Sequence, residues 1–312
     1  MSLSRKKNTS PSIISNSTST HFITAQLASL EIKEPEKEAK KEKESIIKEE
    51  PLETGGFGTV YRGTWNGMEV AIKEMQFTEK YLPLYRKEVE IMQAITHVPN
   101  VVHYLTSVDD PTHQMFQIVM EYYSQGDLFN YILGNQPLAW LQRYKIMRDI
   151  TKGLDGLHHA GILHRDLKIE NILLSANLEA KIGDFGCAEK IENIPPAKCD
   201  IKLMGTLAGL APELVLRTAT YSKQSDIYGL ALLFLDILNW IPKADKDYQS
   251  LGEVYVRLSH GARPPLPPTC KPAMAELMKL SWAQDRFMRP SASTIEAKLE
   301  ELIKAETKKL TT

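Results

Sequence analysis

The chain is expected to fold as an α+β protein in two lobes, a small strand-rich one followed by a larger helical one. Three observations predict this. Short strand-like runs fill residues 46–122, helical apolar spacing dominates from Asp127 onward, and the composition can bury a core. The 312 residues are 43% apolar and 25% charged, ordinary values for a soluble globular chain.

In chain order, residues 1–30 hold 12 Ser or Thr and few large apolar groups, too little burial to offset the entropy of ordering. Residues 31–50 carry eight Glu and six Lys and read as a charged linker or a solvated helix, with the linker reading preferred to a docking helix. Order is expected from Ile46. Leu52–Tyr61 and Glu69–Met75 read as strands around a Trp65-Asn66-Gly67 turn, Tyr85–Ile95 as a helix, and Val101–Val108 and Met115–Tyr122 as strands. Helices follow over 127–133, 140–160, 225–241, 249–259 and 272–282, and a last one starts at Ser293. The apolar run Tyr228–Ile241 is 14 residues long and contains Asp236, so it reads as a buried helix and not a bilayer span.

The charge balance excludes one class of partner. Lys plus Arg is 38 against 39 Asp plus Glu, so no basic excess is available for a phosphate backbone. Cys187, Cys199 and Cys270 lack metal-ligand spacing, and a sparse odd count suits a reducing compartment, hence a cytoplasmic chain. The N-terminus offers no apolar signal-peptide core and no Gly at position 2 for myristoylation.

Chemistry first shows in Glu53-Thr54-Gly55-Gly56-Phe57-Gly58-Thr59-Val60. Glycines let backbone N–H groups approach phosphate oxygens without a Cβ in the way, although a Gly-rich hairpin turn is the commoner reading of such a stretch taken alone. Val70-Ala71-Ile72-Lys73 changes the balance, because a Lys on the next strand, beneath such a loop, can hold the α- and β-phosphates of a nucleotide. Glu88 follows on the predicted helix. Further on come His164-Arg165-Asp166-Leu167-Lys168-Ile169-Glu170-Asn171, then Asp184-Phe185-Gly186, Ala211-Pro212-Glu213, Asp226 and Arg289-Pro290.

With these motifs in this order, the chain resembles a eukaryotic-type protein kinase over about 260 residues, Ile46 to Ala305. The resemblance implies a kinase domain over 46–305, with an N-lobe 46–120, a hinge 121–126 and a C-lobe 127–305. Residues 1–45 would then be a disordered tail and 306–312 a short C-terminal one. It implies ATP and Mg²⁺ as the small-molecule requirements and Ser/Thr-bearing proteins as substrates, with no nucleic acid and no membrane span.

The same resemblance assigns roles. Asp166 would accept and orient the acceptor hydroxyl's proton, and Lys168 would stabilise charge on the γ-phosphate. Asn171 and Asp184 would ligate the metal, and Lys73, held by Glu88, would fix the α- and β-phosphates. The nucleotide would lie among Gly55, Gly56, Phe57, Gly58, Val60, Ala71 and Leu173, with Met120 guarding the back of the pocket and Glu121 and Tyr123 in the adenine-facing hinge. Met92, Tyr104, Phe185 and His164 would stack into an interlobe column anchored by Asp226, and Glu213 and Arg289 would brace the large lobe.

The departures from the pattern are specific. Glu53 stands where the first loop glycine is usual, which implies weaker nucleotide affinity unless the carboxylate points outward. Gly209 stands where the family usually has Tyr, in the segment that touches the acceptor peptide. Between Asp184 and Glu213 the only hydroxyl is Thr206, which resembles the Thr that contacts the catalytic Asp. Many kinases order this segment by phosphorylation, with the residue equivalent to Arg165 receiving the phosphate. Here Glu189, Glu192 or Asp200 is expected to supply that charge, or a regulatory partner orders the segment.

Lys168 and Thr206 resemble Ser/Thr kinases. Gly63-Thr64-Trp65-Asn66-Gly67 and Ser281-Trp282-Ala283-Gln284-Asp285 resemble the tyrosine-kinase-like group of Ser/Thr kinases. Dual specificity is one alternative; another is a pseudokinase or nucleotide-binding scaffold. Pro264-Pro265-Leu266-Pro267-Pro268 fits an SH3 ligand in composition, but the packing-loop reading is preferred.

Overall fold

The structure is a computed structural model that describes residues 46–55, 58–76, 78–110, 114–195, 203–206, 209–240 and 251–311. An antiparallel sheet opens it: β1 (Ile46–Gly55), β2 (Gly58–Trp65), β3 (Met68–Gln76), β4 (Tyr104–Asp110) and β5 (Met115–Glu121), in the order β1-β2-β3-β5-β4. Here the expected single strand 52–61 is corrected. It is a hairpin whose arms pair Gly55 with Gly58, Thr54 with Thr59 and Glu53 with Val60. Strand-forming residues flank the Gly-rich stretch on both sides, so the two arms merge in a reading by composition. Gly58 reveals it: its φ is +141°, and a Cβ there would meet the Glu74 carbonyl at 2.0 Å.

The period of two on β3 sorts its side chains. Val70 and Ile72 face one way and pack with Val119, while Ala71, Lys73 and Met75 face the other. Met75 belongs to the main core beside helix α1 (Leu82–Ala94). That helix starts with Pro83 in its first turn and buries Tyr85, Glu88, Ile91 and Met92, an i, i+3, i+6, i+7 stripe. Lys73 and Glu88 are thus turned toward each other by two different periodicities.

The second half is helical: α2 (Leu128–Gly134), α3 (Trp140–His159), α4 (Pro212–Val215), α5 (Lys223–Asn239), α6 (Leu251–Ser259), α7 (Pro272–Ser281) and α8 (Ala292–Thr311). A two-lobed fold with a sheet-built first part and a helical second part results, as the sequence predicts. Helix α5 is buried at every residue from Ser225 to Leu238, Asp236 included, which is why it reads as one apolar run. It stops where Trp240 turns left-handed at φ +53°.

Arg143 of α3 caps that end. Its guanidinium donates to the Ile237 and Leu238 carbonyls at 3.3 and 2.9 Å, between the rings of Trp140 and Trp240. Four short strands were not expected: β6 (Ile162–Leu163) pairs with β9 (Glu189–Lys190), and β7 (Ile172–Leu174) with β8 (Ala180–Ile182). These two small strand pairs frame the loop 164–171 and the segment from Asp184.

Within the proline-rich stretch, Leu266 packs against the main core. Among the described residues no helix is long and apolar enough to cross a membrane. Cys187 and Cys270 are free thiols; Cys199 lies outside the described residues.

Candidate active site

Lys73 is the junction of the site. Its Nζ donates to Glu88 Oε1 at 2.6 Å and to Asp184 Oδ1 at 3.0 Å, joining β3, α1 and the segment after β8. Burial alone would lower the Lys73 pKa, but the Glu88 and Asp184 carboxylates reverse this and hold it well above the usual lysine range. Burial pushes the Glu88 carboxyl up against the pull of Lys73. Asp184 goes the other way: burial raises it, and the Lys73 ammonium more than compensates, so its carboxyl sits below the ordinary aspartate value. Asp184 has φ +53°, a strained backbone for a non-glycine that turns its half-exposed carboxylate back toward Lys73.

The loop 164–171 is fixed from below. Asp226, in the first turn of α5, accepts the His164 N–H at 3.0 Å, the Arg165 N–H at 2.9 Å and a contact from the His158 ring at 2.9 Å. Arg165 has φ +66°, so the loop is held in a costly shape by those bonds. The fully buried His164 ring reaches the Gly183 carbonyl at 2.9 Å and meets the Phe185 ring edge-on at 5.4 Å. Met92 and Phe185 are buried in the same core, against which Tyr104 packs.

Asp166 sits on that platform with both oxygens engaged. Oδ1 accepts from the Thr206 N–H at 2.8 Å and its hydroxyl at 2.9 Å. Oδ2 lies 3.3 Å from Asn171 Nδ2 and 3.5 Å from Lys168 Nζ, and Lys168 also donates to the Thr206 hydroxyl at 3.2 Å. Gly205 makes the approach: its φ is +85°, and a Cβ would strike the Arg165 carbonyl at 2.4 Å. The structure therefore brings Lys73, Glu88 and Asp184 into one cluster and Asp166, Lys168, Asn171 and Thr206 into another.

Of the remaining expected residues, Ala71 lies opposite Met120, and Val60 opposite Lys73, in the sheet register. Leu173, on β7, packs at the edge of the core. The Tyr123 hydroxyl donates to Glu121 at 3.0 Å and accepts the His103 N–H at 3.4 Å, fixing the chain just after β5. Gly55 and Gly58 close the β1–β2 hairpin. Gly56 and Phe57, between them, lie outside the described residues, as does Asp200.

Glu53 stands on β1 opposite Val60 with an exposed side chain, and desolvation together with the Asp127 and Asp184 carboxylates raises its pKa. Among the described residues, the Leu167 carbonyl alone comes within 4 Å of where a Cβ on Gly209 would be, at 3.9 Å. Gly209 lines a small cavity with Asp166, Thr206, Leu214 and Tyr221.

Three contributors escape a motif reading. His158 supports Asp226, Tyr221 pins the segment before Gly205 by exchanging bonds of 2.7 and 2.8 Å with the Met204 N–H and carbonyl, and Ser225 donates to Glu213 at 3.1 Å. None lies in a spacing pattern; only the tertiary fold brings them in. The brace is in place, with Arg289 donating to both Glu213 oxygens at 2.8 and 2.7 Å.

Asp184 and Asn171 supply hard oxygen donors suited to a small divalent cation. Asp184 is held ionised by Lys73, and Asn171 Nδ2 donates to the Asp166 carbonyl at 2.8 Å, which leaves its amide oxygen as the ligating atom. The residues fit the metal that the motifs imply.

Residues 46–299 match the family described as protein tyrosine and serine/threonine kinase. The probable serine/threonine-protein kinase drkD of Dictyostelium discoideum is 34% identical over 258 residues, covering 80% of this chain and 19% of that protein. The serine/threonine/tyrosine-protein kinase HT1 of Arabidopsis thaliana is 30% identical over 260 residues, 79% of this chain and 64% of that protein. The serine/threonine-protein kinase STY46 of the same plant is 30% identical, over 81% of this chain and 43% of its own length. The chain thus spans less than two thirds of each of these relatives.

Proposed function

The chain belongs to the protein tyrosine and serine/threonine kinase family, and from that premise we propose that it transfers the γ-phosphoryl group of ATP to Ser and Thr hydroxyls of protein substrates. The observation that carries the reading is the Lys73 ammonium held between Glu88 and Asp184 at 2.6 and 3.0 Å, together with an Asp166 carboxylate fixed by Thr206 and Asn171.

In the transfer, the acceptor oxygen bonds to the γ-phosphorus as the bond to the β–γ bridging oxygen breaks, ADP leaves, and the hydroxyl proton passes to Asp166. Thr206 and Asn171 hold the Asp166 carboxylate, so its remaining lone pairs face one direction and orient the hydroxyl. Lys168 places a positive charge beside Asp166, where the transferring group gains negative charge. Lys73 orients the α- and β-phosphates, and Glu88 fixes Lys73. Asp184 and Asn171 would hold Mg²⁺, which supplies neutralisation of phosphate charge when bound.

Lys168 and the names of drkD and STY46 support Ser/Thr acceptors; HT1 is named for tyrosine as well. Glu53, standing where the first loop glycine is usual, favours a second reading, a nucleotide-binding scaffold without turnover. The sparse cysteines support a reducing compartment, and we place the chain in the cytoplasm.

The test is phosphorylation of a peptide array by the full chain with Mg-ATP, beside Asp166→Ala. Phosphate on Ser and Thr, lost about 10²–10⁴-fold in the variant, is expected. Phosphotyrosine would establish dual specificity, and no turnover would leave the scaffold.

A further inference from the structure

Two bonds tie α1 to β9, and their order along the chain is reciprocal. Lys87 Nζ lies 3.2 Å from Glu189 Oε2, and Lys190 Nζ lies 2.5 Å from Glu90 Oε1. Glu189 Oε2 also lies 3.7 Å from Arg165 Nη2, while its Oε1 accepts the Lys190 N–H and the Asn193 amide, each at 3.2 Å. One half-buried carboxylate therefore collects donors from the helix that carries Glu88, from the loop that carries Asp166 and from its own segment. Arg165 is held further by the Cys187 and Ala188 carbonyls at 2.6 and 3.4 Å, and its guanidinium lies over Tyr221 at 5.3 Å.

We propose that Glu189 is a positioning residue that clamps α1 and the catalytic loop onto the segment after Asp184, so that the kinase site assembles without a phosphate in that segment. This rests on the kinase reading above and adds how its site is held. Lys87 directly precedes Glu88, so a bond that fixes Lys87 sets the rotation of α1 that presents Glu88 to Lys73. Glu189 pairs with Leu163 across β6 and β9, immediately before His164, so the same carboxylate stands at the root of the catalytic loop.

A phosphate on this segment as the donor of negative charge is closed off. Thr206, the sole hydroxyl between Asp184 and Glu213, lies 2.9 Å from Asp166 Oδ1, where a phosphate would meet a carboxylate. Glu189 stays ionised, because Asn193, Lys87 and Arg165 outweigh the effect of burial on its carboxyl.

The test uses the full chain with Glu189→Gln, Lys87→Met, the double variant and Glu189→Asp. Either single loss is expected to lower kcat about tenfold, the scale of coupling between sites. The double variant is expected to lose no more than either single one, and Glu189→Asp to recover part of the loss. Mass spectrometry of active wild-type chain is expected to show no phosphate between 184 and 213. Backbone hydrogen exchange in α1 gives a readout that does not depend on turnover: about tenfold faster in Glu189→Gln, unchanged in Glu90→Gln paired with Lys190→Gln relative to Glu90→Gln alone.

Unchanged α1 exchange and kcat within twofold of wild type in Glu189→Gln would overturn the clamp, as would additive losses or a phosphate in the segment of active protein. A wild-type chain with no turnover but with the α1 exchange change would instead remove the kinase reading and keep the clamp.

Discussion

At the scale of single residues, the site is a set of carboxylates whose neighbours pull them in opposite directions. Asp184 is kept ionised by Lys73, whereas Glu53 is pushed toward the neutral form by burial, Asp127 and Asp184. An acid with a raised pKa loses its charge earlier as pH falls, so repulsion between Glu53 and the phosphates of ATP is present above that pKa and lost below it. Glu53→Gln is expected to lower KM for ATP about threefold near pH 8, the scale of one screened charge. The ratio of wild-type to variant KM is expected to fall toward one as pH falls through the raised Glu53 pKa. Taking the ratio cancels the titration of ATP itself; a ratio that does not change with pH would mean that Glu53 stays away from the nucleotide. The sequence made Asp166, Asn171, Asp184, Lys73 and Glu88 legible because spaced motifs name them. The strained φ of Arg165 and Asp184, and the support from His158 and Tyr221, were not legible, since each depends on contacts between distant segments.

At the scale of elements, long periodic pieces were readable and short ones were not. Helices α1, α3, α5 and α7 begin or end within about three residues of their expected limits, because each carries an apolar stripe or run over several turns. β6, β7, β8 and β9 have two or three residues each, too few for any period to show. The β1–β2 hairpin merges into one strand in the sequence because its arms flank a turn only two residues long, Gly56-Phe57. Packing between elements leads to a stability prediction at α4, which ends the segment that begins at Asp184. Glu213 on α4 and Arg289 form a pair with the Arg side chain fully buried, and Gln224 and Ala283 carbonyls take further Arg protons at 2.9 and 3.0 Å. Removing one partner strands a charge in the interior, so Glu213→Ala is expected to cost about 3–5 kcal/mol. Thermal unfolding is expected to shift down by about 10 °C. A shift under about 2 °C would show that water reaches Arg289 and that the brace carries little.

At the scale of the whole molecule, the groups of the site come from both halves of the fold: Lys73 and Glu88 from the sheet and α1, Asp166, Asn171 and Asp184 from the helical part and its small strand pairs. The Lys73–Asp184 pair at 3.0 Å spans them directly. Nucleotide with its cation would compete for both partners of that pair, the ammonium being drawn to phosphate and the carboxylate to metal, so binding replaces one cross-link between the halves with several. A ligand at about 100 times its Kd stabilises the native state by about 2.7 kcal/mol, or about 5 °C in Tm for a chain of this size. A non-hydrolysable ATP analogue with Mg²⁺ is expected to produce that rise, and the analogue with a chelator less than half of it. In Asp184→Ala the two conditions are expected to coincide, because the carboxylate that makes the cation matter is gone, while Lys73 still meets the phosphates. Equal shifts with and without Mg²⁺ in the wild-type chain would separate nucleotide binding from Asp184 and point to a scaffold that holds ATP without transferring its phosphate.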